Sequence, residues 1–262
     1  MNHFCSRAVK CAQYSMADME TSGFDLRGFI ENSLLEWENH LAAVVIAGGC
    51  NLRCPYCHSW RYVTGLADLA RLDPETVFTL LERQRGWLDG VVFTGGEPTL
   101  QPGLAKMIRR TREYGVKVKL HTNGSRPEAV EALLDERLLD CLALDYKAPL
   151  DERMFPVAGV AEDAALRDNV RKTFALAAQS GIGREYHTTL SPRFVDMATF
   201  ADMADALEPG GLWLLQQYES GDCLDPVRAG GARYDEKQLE VFAALAESRQ
   251  HTVVLKKGTL QA

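Results

Sequence analysis

The chain has 262 residues, with 46% hydrophobic and 25% charged side chains, the balance of a globular protein able to bury a sizeable core. Its mean hydropathy is −0.18, and no apolar run reaches the roughly 18 residues of a membrane span. With 29 basic and 36 acidic residues the net charge is −7, so membrane contact and nonspecific nucleic-acid binding are not expected.

Residues 1–24 are mixed polar without a clean period and read as a flexible N-terminal extension; residues 25–262 read as one domain. From Leu41 onward, apolar runs alternate with helical patterns. The first strand is expected over residues 41–47, with Val44, Val45 and Ile46 at its centre. Asp73, Pro74 and Glu75 open a helix in which Val77, Leu80 and Leu81 form the apolar stripe. Residues 90–94 are a buried strand, and 102–114 a helix stopped by Gly115. Residues 116–121 form a strand with Lys117 and Lys119 on one face. A helix over 127–136 and a strand over 138–145 follow. Then come a long helix over 161–180, a strand over 185–190 and a helix over 196–207. Residues 212–217 are a strand, 235–249 a helix, and 252–255 a last short strand. This β/α alternation predicts a parallel sheet with helices outside it. Six strand–helix units fall short of a complete barrel, so the expected fold is α/β, an open partial (β/α)6 TIM-type barrel. A doubly wound sheet is the alternative. Either way, ligands belong at the C-terminal ends of the strands.

The seven cysteines are an odd number with no secretory signal before them. That points to a reducing compartment, the cytoplasm, rather than to a disulfide framework. Cys50, Cys54 and Cys57 stand in a C-x3-C-x2-C run just after the first strand. Three thiolates in one loop suit three corners of an iron–sulfur cubane; a zinc loop would need a fourth ligand, which the adjacent His58 is badly placed to supply. Gly48 and Gly49 permit close backbone approach. Gly95, Gly96 and Glu97 follow the second strand, where Glu97 can accept from an ammonium group. Further polar groups sit at later strand ends: His121 to Asn123, Asp145 with Lys147, His187, and Gln216 to Tyr218. Their recurrence suggests one shared site. Cys5 and Cys11 read as free thiols, Cys141 as a core residue, and residues 223–234 as a loop able to act as a lid.

The C-x3-C-x-aromatic-C run, with Tyr56 as the aromatic, together with Thr94-Gly-Gly-Glu-Pro-Thr99, resembles the radical S-adenosylmethionine (SAM) superfamily. From Gly28 to Pro226 the chain is similar to activating enzymes of glycyl radical enzymes. The likeness is closest to activating proteins of anaerobic ribonucleoside-triphosphate reductases, with pyruvate formate-lyase activating enzyme more distant. Residues 49–58, 94–101, 122–125, 145–149 and 215–218 carry it.

That resemblance implies a radical SAM barrel with a [4Fe–4S] cluster on Cys50, Cys54 and Cys57. SAM would be chelated at the open iron and cleaved to a 5′-deoxyadenosyl radical. Tyr56, His58, Gly95, Gly96, Glu97, Asn123, Asp145, Lys147, His187 and Gln217 are the cofactor contacts it implies. In that role Glu97 takes the SAM amino group and Lys147 its carboxylate. The implied partners are a glycyl radical enzyme, in particular an anaerobic ribonucleotide reductase, and a flavodoxin- or ferredoxin-type electron donor. The chain departs from its relatives at Leu35 to His40, at Ser59, at His187 (where Arg is common) and at His121 (where an acid is common). A small-molecule enzyme like 7-carboxy-7-deazaguanine synthase, and a non-catalytic cluster-binding scaffold, remain alternatives on these residues.

Overall fold

A computed structural model describes residues 23–257. The N-terminal extension, with Cys5 and Cys11, lies outside the described residues. Eight strands form one sheet in chain order: β1 (Leu26–Ser33), β2 (Ala42–Ala47), β3 (Gly90–Gly95), β4 (Lys117–Thr122), β5 (Cys141–Asp145), β6 (Gly183–Leu190), β7 (Leu212–Gln217) and β8 (Thr252–Lys256). The pairs from β2 to β8 are all parallel. Helices α1 (Trp60–Val63) and α2 (Glu75–Arg83) follow β2, and α3 (Leu104–Arg112) follows β3. Next come α4 (Pro127–Asp135), α5 (Met154–Ala158), α6 (Ala164–Gln179), α7 (Met197–Ala206), α8 (Pro226–Ala229) and α9 (Glu236–Ser248). The six β/α units from β2 to β7 are the expected partial barrel, with β8 closing the last unit.

Strand β1 is absent from the sequence reading. It pairs antiparallel with β2 and is irregular at two points of register. Its exposure pattern is mostly intermediate, so it lacks the continuous apolar run that marks a buried strand. Strands β1 and β8 are the two edges of the sheet. The Lys256 ammonium spans that seam by donating to the Leu35 carbonyl at 3.0 Å.

Alternation along each strand sorts the side chains. Ala43, Val45, Val91, Phe93, Val118, Leu120, Leu142, Leu144, Trp213 and Leu215 face outward into the main core. Ala42, Val44, Ile46, Val92 and Cys141 face inward, with Trp37 as a plug beneath them. A Cβ on Gly90 would lie 2.6 Å from the Trp37 ring, which is why a glycine opens β3 there. Polar residues on the inward register therefore converge above this plug, at the strand C-termini.

Local signals fix the helix starts. The Asp73 carboxylate accepts from the Glu75 amide, Asp163 caps α6, and Asp235 with Gln238 forms a capping box on α9.

Candidate active site

The cysteine loop follows β2 and is tied down on every side by backbone contacts. The Gly96 amide donates to Ala47, the Glu97 amide to Gly49 at 2.8 Å, and the Gly49 amide to Tyr62. From the opposite side the Arg53 amide donates to the Ala158 carbonyl at 2.9 Å. Two glycines make these approaches possible. A Cβ on Gly96 would lie 1.9 Å from the Gly49 oxygen, and one on Gly159 would lie 1.9 Å from the Arg53 oxygen. Residues 219–234 then pack over the loop: the Leu224 amide donates to Cys57 and the Asp225 amide to Pro55. Asp222 accepts from the Trp60 indole at 2.7 Å, and its carbonyl meets His58 Nδ1 at 3.0 Å. This segment is held on the cysteine loop, and its Asp222 and Leu224 line the cavity.

Cys50, Cys54 and Cys57 line one cavity of about 640 Å³ together with Tyr56, His58, Gly95, Gly96, Glu97, Asn123, Asp145, Lys147 and His187. All three cysteines are free thiols. Burial pushes Cys50 up to about 12 and Cys54 and Cys57 up to about 11, so binding a metal there requires displacing their protons. The Cys50 sulfur accepts from the Leu52 amide at 3.3 Å and from the Asn123 carboxamide at 3.7 Å.

Glu97 is 1% exposed. Its Oε1 accepts from the Thr99 amide, the Thr99 hydroxyl and the Thr122 hydroxyl, and its Oε2 from the Asn123 amide at 2.7 Å. These four donors are neutral. Burial raises the Glu97 carboxyl above its ordinary value despite them. Such a carboxylate is a ready receptor for a cation.

Across the cavity, Lys147 and Asp145 pair at 2.7 Å, and His121 Nε2 lies 3.4 Å from the other Asp145 oxygen. Burial would raise Asp145, but the Lys147 ammonium and His121 hold it well below the usual carboxylate range. The same carboxylate outweighs burial at Lys147 and keeps that ammonium charged. Among the described residues the Tyr56 hydroxyl is buried without a hydrogen-bond partner.

One predicted contact is corrected. Gln217 stands on the outward register of β7 beside Leu215, is 3% exposed, and donates to the Tyr234 carbonyl. Its neighbour Gln216 lines the cavity. Tyr218 is likewise turned away, buried with its hydroxyl on the Gly230 carbonyl at 2.9 Å. Sequence reasoning missed Lys119 and Glu185, an ion pair sealed inside the barrel at 1% and 4% exposure. The placing of Lys117 and Lys119 on one strand face was the available signal. It also missed Asn51, whose side chain links Ser125 and Asn123.

The donor set fits an iron–sulfur cluster and a zwitterionic ligand: three free thiols, a buried carboxylate whose donors among the described residues are all neutral, and an ammonium across the cavity. The family model for the radical SAM superfamily matches residues 44–207. The chain belongs to the radical SAM superfamily, whose cofactors are a [4Fe–4S] cluster and SAM. It is a radical SAM enzyme.

Among curated relatives, it is 27% identical over 237 residues to a Methanocaldococcus jannaschii protein provisionally named a glycyl-radical enzyme activating enzyme, covering 89% of this chain and 97% of that one. It is 37% identical over 126 residues to 7-carboxy-7-deazaguanine synthase of Methanopyrus kandleri, covering 41% of this chain and 49% of that one. Among solved structures, a radical SAM methyltransferase from Sphaerobacter thermophilus superposes with a TM-score of 0.61 at 17% identity, covering 84% of this chain and 67% of that one. That likeness supports the partial barrel. Among the described residues no helix is long and apolar enough to cross a membrane.

Proposed function

We propose that this chain activates a glycyl radical enzyme by generating a radical on one glycine of that partner, with an anaerobic ribonucleotide reductase as the partner. The carrying observation is coverage: the likeness to the activating enzyme runs the length of both chains, whereas that to the deazaguanine synthase is confined to under half of each. Electrons come from a flavodoxin- or ferredoxin-type donor, and the cytoplasm keeps the thiols reduced. Residues 25–262 act as one domain.

In this reading Cys50, Cys54 and Cys57 hold three irons of the cluster. Cluster and SAM together supply one-electron cleavage of the sulfonium when bound. Glu97 receives the SAM ammonium, beside the backbone of Gly95 and Gly96 and the Asn123 side chain. Lys147, kept charged by Asp145, receives the carboxylate. The Tyr56 hydroxyl, without a partner among the described residues, offers a donor, and His58 and His187 complete the polar lining.

Electron paramagnetic resonance tests this on the reduced holoenzyme mixed with SAM and the glycyl radical protein of the same organism. A doublet from a glycine α-hydrogen is expected. SAM cleavage without a protein radical, accompanied by turnover of a purine precursor, would replace the proposal with small-molecule chemistry.

A further inference from the structure

Beneath the cavity, on the inward registers of β4 and β6, the Lys119 ammonium donates to the Glu185 carboxylate and to the Glu36 carbonyl at 2.7 Å. Neither Lys119 nor Glu185 lines the cavity, but His187, two residues along β6, does. His187 Nε2 lies 2.9 Å from the same Glu185 oxygen that Lys119 engages. A buried ion pair is weak support for stability, because desolvation offsets much of its attraction. Its geometry has another consequence.

A carboxylate only accepts. Burial would raise Glu185, yet the hydrogen bond from His187 and the Lys119 charge bring it to about 2. It is therefore ionised at neutral pH, and the proton of the imidazole must sit on Nε2. Burial, followed by the neighbouring His121, lowers His187 to about 3, so the ring carries only that one proton. The His121 ring packs beside it with centroids 4.4 Å apart. Nδ1 is left as a lone pair, the ring's one side-chain hydrogen bond among the described residues being that of Nε2 to Glu185.

We propose that the Lys119–Glu185 pair is a positioning device that holds His187 in the tautomer with Nε2 protonated and Nδ1 as the acceptor, and that Nδ1 takes a neutral hydrogen-bond donor of the bound reactants. The donor is a ribose hydroxyl of SAM or a backbone N–H of the target peptide. A carboxylate is excluded, because two acceptors would face each other. The peptide source rests on the activating-enzyme reading; the tautomer and the SAM source do not.

The first measurement is nitrogen NMR of the full chain labelled at histidine, with His187 assigned by its loss in His187→Phe. At neutral pH it should show a protonated Nε2 and a bare Nδ1. A proton on Nδ1, alone or with Nε2, overturns the proposal. The joint replacement Lys119→Met with Glu185→Leu removes the pair without stranding a buried charge and should release His187 into mixed tautomers. A ring signal unchanged in that variant would end the positioning role.

The second measurement separates the sources. His187→Phe keeps a ring without the acceptor, and His187→Asn restores an acceptor near the Nδ1 position. Losing one neutral hydrogen bond weakens binding about two- to tenfold. If SAM binding to the holoenzyme falls by that factor in the Phe variant and recovers in the Asn variant, the donor is the hydroxyl. If SAM binding holds while the KM for the partner protein rises and recovers in the same way, the donor is the peptide amide. No change in either quantity overturns the proposal.

Discussion

Replacing Glu97 tests both the buried hub and the ligand it awaits. In Glu97→Gln, the carbonyl oxygen can keep the three donors now on Oε1, but the amide nitrogen then faces the Asn123 N–H, donor against donor. One buried unpaired amide costs about 1–3 kcal/mol. Glu97→Ala strands the backbone N–H groups of both Thr99 and Asn123, so its cost is about 2–6 kcal/mol. The hydroxyls of Thr99 and Thr122 can rotate and add less. Urea unfolding of the two variants should therefore rank Ala below Gln below wild type. Either variant also removes the anionic partner for the SAM ammonium, a charge-assisted bond of about 1.5–3 kcal/mol, equivalent to roughly a tenfold to hundredfold loss of affinity. Equilibrium dialysis of labelled SAM against the anaerobically reconstituted enzyme reads that loss, and iron content should stay near wild type in Glu97→Gln. An unchanged unfolding midpoint in Glu97→Ala would refute the hub. Unchanged SAM affinity in Glu97→Gln would remove the ammonium from this carboxylate.

Changing any one of Cys50, Cys54 and Cys57 to Ala should abolish iron retention after anaerobic reconstitution, while Cys141→Ala, in the barrel interior, should retain it. Iron and sulfide analysis checks both. Gly96→Ala and Gly159→Ala each drive a Cβ to 1.9 Å from a backbone oxygen of the cysteine loop. Each should cost about 2–5 kcal/mol in urea unfolding and impair cluster loading. Gly231→Ala, where a Cβ meets nothing within 4 Å, should change stability by no more than about 0.5 kcal/mol. Stability should also fall in acid. His187 is lowered from 6.5 to about 3 and Glu185 from 4.5 to about 2, so the unfolded chain binds more protons and the stabilisation present above pH 6.5 is lost as pH falls. Between pH 6.5 and 4.5 the histidine alone accounts for about 2–3 kcal/mol. A denaturation midpoint whose fall over that range is the same in His187→Phe as in wild type would refute this assignment.

Strands β2, β3, β5 and β7 were legible as buried apolar runs, and β4, β6 and β8, which mix polar residues with apolar ones and are less buried, from their place in the β/α alternation, with proline, aspartate and glycine marking the helix ends between them. Strand β1 was not, since it mixes Arg27, Gly28, Glu31 and Asn32 with only partial burial. The cysteine loop and the Gly95–Glu97 turn were legible as chemistry, because few other uses exist for three thiols so spaced. Which of two adjacent residues faces the cavity was not. Gln216 and Gln217 are chemically identical, and only the register of β7 against β6, with Gln216 opposite Thr189, turns one inward and the other toward Tyr234.

The same register explains why the site is more than a metal loop. Four successive strands each place an inward polar residue above the apolar plug: Thr94 on β3, His121 on β4, Asp145 on β5 and His187 on β6. Parallel pairing sets Asp145 beside His187 and His121 beside Ala143. The small Ala143 side chain leaves the two imidazoles room to pack against each other. Rigid strands thus fix the polar wall, while the cysteine loop opposite is fixed by backbone bonds and the glycine approaches at Gly96 and Gly159. A side-chain change on the wall should therefore alter ligand recognition while cluster loading survives, whereas a change at either glycine should impair cluster loading and, through it, SAM binding.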